Sequence, residues 1–171
     1  MVNSGAWASV SEAFTARRAA HPDAVAVTGA YGDLSFEQLG RMADSVAASV
    51  RALGTPAERA ELPVGYLGAR RPHFLATVLG VLGSGAAYVP LDPSWPPARI
   101  ADVAEVAGLR HVFVDAEHTA LARDAGLSPV LPVEEALERS ARRPWRGGPG
   151  RARTSPTSSS PRAPPERRRA Y

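Results

Sequence analysis

Apolar residues recur along the chain with two alternating periods, one typical of helices and one typical of strands. Residues 8–20, 36–53, 72–84, 98–107 and 116–125 carry apolar side chains three or four positions apart, as amphipathic helices do. Short apolar runs bounded by Gly, Pro or Asp, at 24–28, 33–36, 62–67, 86–91, 111–115 and 130–133, are typical of strands. This alternation predicts an α/β fold with a mostly parallel sheet flanked by helices and right-handed crossovers.

Local signals sharpen the first part of this pattern. The two strands nearest the N-terminus are separated by a turn from Gly29 to Gly32, which predicts a small hairpin. Ser35, with Gln38 three residues later, has the spacing of a capping box and therefore predicts a helix start. Gly54 is expected to end that helix.

The helix predicted over 72–84 is apolar nearly all round, so we expect it to be sandwiched between other elements. Gly83 and Gly85 are expected to supply positive-φ positions where it stops. The apolar run 86–91 follows, and the sequence predicts that it is a buried strand of the parallel sheet. Asp92 and Pro93 end that strand, and Asp92 is expected to act as a helix cap.

The stretch LGSGAAYVPLDP closely resembles the second core motif of amino-acid adenylation domains from nonribosomal peptide synthetases, roughly L-K-A-G-x-A-Y-V-P-L-D-P. Gly83 and Ser84 depart from the usual Lys-Ala, and we interpret the segment as structural, because it mostly packs the sheet. The matching residues are Leu82, Gly85, Ala87, Tyr88, Val89, Pro90, Leu91, Asp92 and Pro93.

A second stretch resembles the same family. Leu34, Ser35, Phe36 and Leu39 match the first core motif, commonly L-T-Y-x-E-L, with Gln38 in place of the usual Glu. The resemblance implies that the chain contains only part of the N-terminal subdomain of the large adenylate-forming domain. It also implies an ancestral activity, ATP-dependent and Mg²⁺-dependent activation of an amino acid, before transfer to the phosphopantetheine thiol of a carrier-protein domain.

Few residues suggest chemistry of their own, and we predict no catalytic, cofactor-binding or metal site in this chain. The four histidines never have metal-ligand spacing. Gly83-x-Gly85 lacks the third glycine of a dinucleotide loop and follows a helix, so a helix end is the better interpretation. Arg70 and Arg71 could bind an anion, although a solvated turn is favoured. Glu134 and Glu135 are interpreted as a solvated helix start.

Composition divides the chain in two. Residues 1–140 carry 11 Arg and 16 acidic residues, a net charge of −5, whereas residues 141–171 carry 9 Arg and one Glu, a net charge of +8. There is no Cys, which excludes disulfides and a Cys nucleophile, and no Lys. No signal peptide and no apolar run long enough to cross a bilayer is present, so we expect a soluble cytoplasmic protein without a membrane partner.

These data predict two segments, a truncated AMP-binding domain over 8–140 and a disordered Arg/Pro/Ser-rich tail over 141–171. The tail has a second interpretation, a shifted reading frame. The third bases of the codons for residues 154–165 can be chosen freely. With a suitable choice, the frame that starts at the last base of an Arg153 CGG codon encodes D-L-A-Y-V-I-F-T-S-G-S-T-G. That is the third core motif of the family, the loop that embraces the ATP phosphates.

The resulting hypothesis is a remnant or misread start of an adenylation domain that is inactive by itself, because the phosphate loop and the catalytic lysine of the family are missing. The alternative is a small α/β interaction module whose basic tail binds nucleic acid. The tail lacks interleaved aromatic residues, which counts against that alternative.

Overall fold

The computed structural model describes residues 9–29 and 32–133, in which helices and strands alternate as the sequence predicts. The segments that the sequence assigns to residues 134–171, including Glu134, Glu135 and the basic tail, lie outside the described residues. The elements are α1 (Val10–Ala20), β1 (Val25–Val27), β2 (Leu34–Ser35), α2 (Phe36–Arg51), α3 (Pro56–Ala60), β3 (Pro63–Leu67), α4 (Pro72–Gly83), β4 (Ala87–Leu91), α5 (Pro97–Val106), β5 (His111–Val114), a 3₁₀ turn (Ala116–His118), α6 (Thr119–Asp124) and β6 (Pro129–Pro132).

A four-stranded sheet in the order β4-β3-β5-β6 forms the centre of the described residues, and each neighbouring pair of strands is parallel. The β1 and β2 strands form the separate antiparallel hairpin that the sequence predicts. The α/β fold class and its parallel sheet are therefore confirmed. Among the described residues, no helix is both long enough and apolar enough to span a bilayer.

Two apolar cores, one on each face of the sheet, hold the fold together. Side chains of one strand alternate between the two faces, as the strand period of two requires. In β3, Val64 and Tyr66 lie in the core beneath α2 and α4, whereas Leu67 lies in the core beneath α5 and α6. In β5, Phe113 belongs to the first core and Val114 to the second. The two central strands are thus buried on both faces, as parallel strands usually are.

The α4 helix is not sandwiched as the sequence predicts. Its buried residues are Ala76, Thr77, Gly80 and Val81, whereas Leu75 and Leu82 are 37% and 36% exposed. The buried face is the one that α2 crosses closely, since a Cβ on Gly80 would lie 2.6 Å from the carbonyl oxygen of Ala43. Leu75 and Leu82 lie outside this face.

The β4 strand is at an edge of the sheet, so the prediction that it is a buried core strand is wrong. Ala87 and Pro90 are exposed, whereas Leu91 is buried in the core beneath α5 and α6. Pro90 has no backbone N–H to donate to a further strand, and proline within a sheet is largely confined to edge strands. Among the described residues, only β3 pairs with β4.

The ends of the helices correct two further predictions. Gly85 has a φ of +88°, as expected, but Gly83 is the last residue of α4 and its φ is not positive. The second helix ends at Arg51, not at Gly54. The short α3 helix that follows was not predicted, although Thr55 and Glu58 form its capping box. The capping box of Ser35 and Gln38 is confirmed.

The α1 helix has no buried residue and contacts α2 through the ring of Phe14, 5.9 Å from that of Phe36, and through one arginine. The Arg18 guanidinium donates to both carboxylate oxygens of Glu37, at 2.9 and 3.2 Å, and to Asp44 at 2.8 Å. Gly40 leaves room for this side chain, since a Cβ there would overlap the guanidinium. The hydrogen bond from Arg18 lowers the pKa of Glu37 below its ordinary value, although burial opposes this shift.

Candidate functional site

The carboxyl ends of β3, β4 and β5 meet at one edge of the sheet, where ligands usually bind in open parallel sheets. The chain leaves β3 for α4, on one face of the sheet, and leaves β5 for α6, on the other face. The loops after β3 and β5 therefore separate at this edge, which makes it the topological switch point of the sheet. The candidate site is built from these loops and from the loop after β4.

The Asp115 carboxylate fills the crevice at the switch point. Asp115 follows β5 directly and is 1% exposed. One carboxylate oxygen accepts a hydrogen bond from the Ala69 backbone N–H at 2.7 Å, and the other lies 2.9 Å from the Tyr66 hydroxyl. His118 Nδ1 lies 3.5 Å from the carboxylate. A buried charge is stable only with hydrogen-bond partners, so the contacts with Tyr66 and Ala69 tie the ends of the two central strands together.

At the end of β3, Tyr66 binds this carboxylate and Gly68 leaves space for it. The Tyr66 hydroxyl is 2.9 Å from both Asp115 Oδ1 and the Ala69 carbonyl oxygen, and its single proton serves these two acceptors. At Gly68, a Cβ would overlap the Asp115 carboxylate. A residue without a side chain is therefore required there.

A salt bridge closes the outer side of the same crevice. Arg71 donates to the Glu117 carboxylate at 2.5 Å, and this contact joins the loop after β3 to the 3₁₀ turn after β5. Its neighbour Arg70 is exposed and has neither a salt bridge nor a hydrogen bond among the described residues. The two arginines, equivalent in the sequence, thus differ in the structure.

An open cavity of about 350 Å³ lies beside the crevice, between the ends of β3 and β4. Arg70 and Asp92 lie at its polar side. The remaining wall is mainly aromatic, and rings pack edge to face within it, Tyr66 on Phe74 at 5.6 Å and Phe74 on Tyr88 at 6.3 Å. The aromatic lining residues are Tyr66, Phe74, Tyr88 and Trp95.

Asp92 shapes a turn and does not cap a helix, which corrects the sequence-based expectation. Its Oδ1 accepts a hydrogen bond from the Ser94 backbone N–H at 2.9 Å, and the residue that precedes the first turn of α5 is Pro96. This hydrogen bond is the main cause that lowers the pKa of Asp92, and the Arg70 charge lowers it further. The carboxylate therefore stays ionised at the rim of the cavity.

Tyr88 has a buried hydroxyl without a hydrogen-bond partner among the described residues. Burial raises the pKa of Tyr88 to about 12, because the ionised form would be poorly solvated there. Since this oxygen is shielded from solvent, it cannot act as a base at neutral pH.

The residues singled out in the sequence divide into two groups in the structure. Tyr88, Pro90, Leu91, Asp92 and Pro93 all line the cavity, whereas Ala87 and Val89 lie on the same strand outside it. The first-motif residues Leu34, Ser35, Phe36 and Leu39 lie in β2 and α2, away from the cavity. Leu82 and Gly85 lie at the opposite end of β4.

Sequence reasoning missed Asp115, Tyr66 and the special position of Arg70. An acidic residue that directly follows a predicted parallel strand was a usable signal for Asp115. Among residues 9–29 and 32–133, no group of three or more His, Cys, Asp or Glu side chains could hold a metal ion.

Comparison with known proteins identifies a family and several relatives that this chain resembles. The family model of the AMP-binding enzymes matches residues 14–168 and so runs on into the basic tail. A probable nonribosomal peptide synthetase of Salinispora arenicola, CymA, is 43% identical over 101 residues, which are 59% of this chain and 1% of CymA. The chain spans at most 5% of the first three curated relatives that it matches.

Solved structures of nonribosomal peptide synthetases share the fold of this chain. A crystal structure of the nonribosomal peptide synthetase FmoA3 in its AMPPNP-bound form is 28% identical, with a TM-score of 0.65, over 75% of this chain and 14% of FmoA3. NpsA-ThdA of Klebsiella oxytoca, an artificially fused adenylation–PCP di-domain, shares the fold at 19% identity with a TM-score of 0.67, over 78% of this chain and 24% of the fusion. Nothing in these comparisons favours a nucleic-acid-binding module.

Proposed function

This chain belongs to the AMP-binding enzyme family, and we propose that it is the N-terminal part of an amino-acid adenylation domain that activates an amino acid with ATP for nonribosomal peptide synthesis. The observation that carries the proposal is the family match over residues 14–168, which contains both motif segments. The parallel sheet and its order of elements agree with the FmoA3 structure. The described residues would form one wall of the complete domain.

ATP, Mg²⁺ and a carrier protein belong to the same proposal. Support for ATP comes from FmoA3, which was crystallised with AMPPNP, and support for a carrier protein comes from the NpsA-ThdA fusion. Reactions with ATP and a phosphopantetheine thiol fit a cytoplasmic location. The carboxyl ends of β3 and β5 are occupied by Asp115 and its partners, so the nucleotide would bind mainly to residues outside the described range.

Amino-acid-dependent exchange of pyrophosphate into ATP tests the activity. The 171-residue chain is expected to give no exchange with any proteinogenic amino acid. A longer product of the same locus, with a phosphate loop and a catalytic lysine in frame, is expected to give exchange with one or a few amino acids. Exchange by the 171-residue chain itself would contradict the first expectation, and a longer product that is inactive with every amino acid would contradict the proposal.

The division of the chain remains part of the proposal, with an adenylation-domain segment over 8–140 and an out-of-frame tail over 141–171. It is supported by the abrupt change from net −5 to net +8 at this boundary and by the phosphate-loop sequence that the shifted frame of residues 154–165 can encode. Resequencing of the locus across the codons of 134–171 tests it. Codons that cannot encode the loop in the shifted frame would refute it.

A further inference from the structure

The aromatic cavity between the ends of β3 and β4 differs from the crevice beside it in whether its polar groups already have partners. In the crevice, the polar groups of Asp115, Tyr66 and Ala69 already satisfy one another. In the cavity, the Arg70 guanidinium makes neither a hydrogen bond nor a salt bridge with any described residue. A cation beside an empty apolar volume can attract an anionic ligand.

The wall of this cavity selects for a flat apolar group. Phe74, Tyr88 and Trp95 present ring surfaces to it, and aromatic rings prefer to pack against other rings edge to face or offset. Its volume of about 350 Å³ is at the lower end of the range of small-molecule sites. The cavity therefore fits one or two fused rings with a single charged substituent.

Asp92 opposes the charge of Arg70 at the rim. Its carboxylate faces Arg70 closely enough for the guanidinium to lower its pKa, after the larger effect of the Ser94 N–H. A ligand anion that reaches Arg70 is therefore attracted by one charge and repelled by another. We propose that this cavity binds a small molecule with an aromatic ring and one anionic group, a carboxylate or a phosphate monoester, with the anion on Arg70 and the ring against Phe74, Tyr88 and Trp95. This site is separate from the adenylation activity proposed above and does not depend on it.

Calorimetric titration of the full chain tests the proposal with four matched probes, 2-naphthoate, 2-naphthyl phosphate, 2-naphthylmethanol and 2-naphthylmethylamine. The anionic probes are expected to bind more tightly than the neutral probe, and the amine least tightly. The comparison of naphthoate with naphthyl phosphate distinguishes the two ligand classes, since tighter binding of naphthoate indicates a carboxylate ligand and tighter binding of naphthyl phosphate indicates a phosphate monoester.

Three variants are expected to have three different effects on the binding of naphthoate. Arg70→Gln is expected to weaken naphthoate binding about two- to fivefold, the size of one exposed charge interaction. Asp92→Asn keeps the acceptor for Ser94 and is expected to strengthen it by a similar factor. Arg71→Gln removes the neighbouring arginine, which is paired with Glu117, and is expected to leave it unchanged. Naphthylmethanol should respond to none of them.

Several outcomes would overturn the proposal. They are equal affinity for the anionic and the cationic probe, no binding of any probe, and an equal loss in Arg70→Gln and Arg71→Gln. Trp95→Ala serves as a second test, because it removes ring surface without changing charge and should weaken all four probes together. Far-UV circular dichroism of each variant verifies that it is folded, so that a loss of binding reports on the cavity.

Discussion

Tyr66 and Tyr88 provide a matched pair for testing the buried polar groups of the β3–β4 face. Both rings pack edge to face on Phe74, at 5.6 and 6.3 Å, Tyr66 within the apolar core and Tyr88, half-buried, against it. Their hydroxyls differ, since that of Tyr66 lies 2.9 Å from two acceptors and that of Tyr88 is buried without a partner. Substitution by Phe removes only the hydroxyl, so the two variants compare a satisfied group with an unsatisfied one.

The expected changes in the free energy of unfolding have different signs. A hydrogen bond to a charged group contributes about 1.5–3 kcal/mol, so Tyr66→Phe should lower the free energy of unfolding by about that amount. A buried hydroxyl without a partner costs about 1–3 kcal/mol of desolvation, so Tyr88→Phe should leave stability unchanged or raise it by up to about 1 kcal/mol. The two variants should therefore differ by at least about 1.5 kcal/mol.

Urea unfolding of the 171-residue chain, followed by far-UV circular dichroism, measures this difference. Equal m-values in the parent and both variants would verify that the same surface is exposed on unfolding. A loss of 1.5 kcal/mol or more in Tyr88→Phe, by the same estimate, would refute the reasoning, because it would mean that the Tyr88 hydroxyl has a hydrogen-bond partner.

The same hydroxyl predicts a pH dependence. Burial raises the pKa of Tyr88 to about 12 from its ordinary value of 10.0. Between these values the unfolded chain ionises while the folded chain does not, so the stability present below pH 10 is lost as the pH rises towards 12. Tyr88→Phe lacks this group and should lose less stability over the same pH range. Equal losses in the parent and the variant would contradict this assignment.

Three further predictions concern contacts that hold the fold together. In urea titrations, Asp115→Ala should lower the free energy of unfolding by about 3 kcal/mol or more. Asp115→Asn should lower it by much less, because an amide can accept from the Ala69 N–H and donate to the Tyr66 oxygen. Gly80→Ala should cost about 1–3 kcal/mol through overpacking against α2, whereas Gly83→Ala, with no atom within 4 Å of its Cβ, should be neutral or stabilising by thermal unfolding. Because Arg18 lowers the pKa of Glu37, that pair stabilises the fold above pH 4.5 and is lost on acidification, so Glu37→Gln should flatten the stability profile below that pH.

The sequence predicted elements well wherever one local signal decided them. The capping box of Ser35 and Gln38 and the positive φ of Gly85 follow from neighbouring residues alone, and both are confirmed. The errors arise where another element decides the outcome. Which face of α4 is buried depends on where α2 crosses it, at Gly80, and no periodicity within α4 contains that position.

The candidate site was predictable only in part, for the same reason. The motif that carries Tyr88 and Asp92 was visible in the sequence, and both residues line the cavity. Asp115 is 23 residues further along the chain than Asp92, and only the strand order β4-β3-β5 brings its carboxylate to Tyr66 and Ala69. Arg70 and Arg71 are indistinguishable by sequence, because the contact between Arg71 and Glu117 depends on where β5 ends.

The stretch from Tyr88 to Pro93 combines several geometric roles. Pro90 fits an edge strand because it has no N–H to donate. Leu91 packs in the core beneath α5 and α6, and Asp92 shapes the turn by accepting a hydrogen bond from the Ser94 N–H. Each role depends on shape or on one hydrogen bond, and none requires a reactive side chain. β4 ends at Leu91, level with the end of β3 at Leu67, and the turn that follows lines the cavity beside Arg70. A motif can therefore identify a family clearly and still act by positioning the backbone around a site, while residues elsewhere in the fold supply the charge.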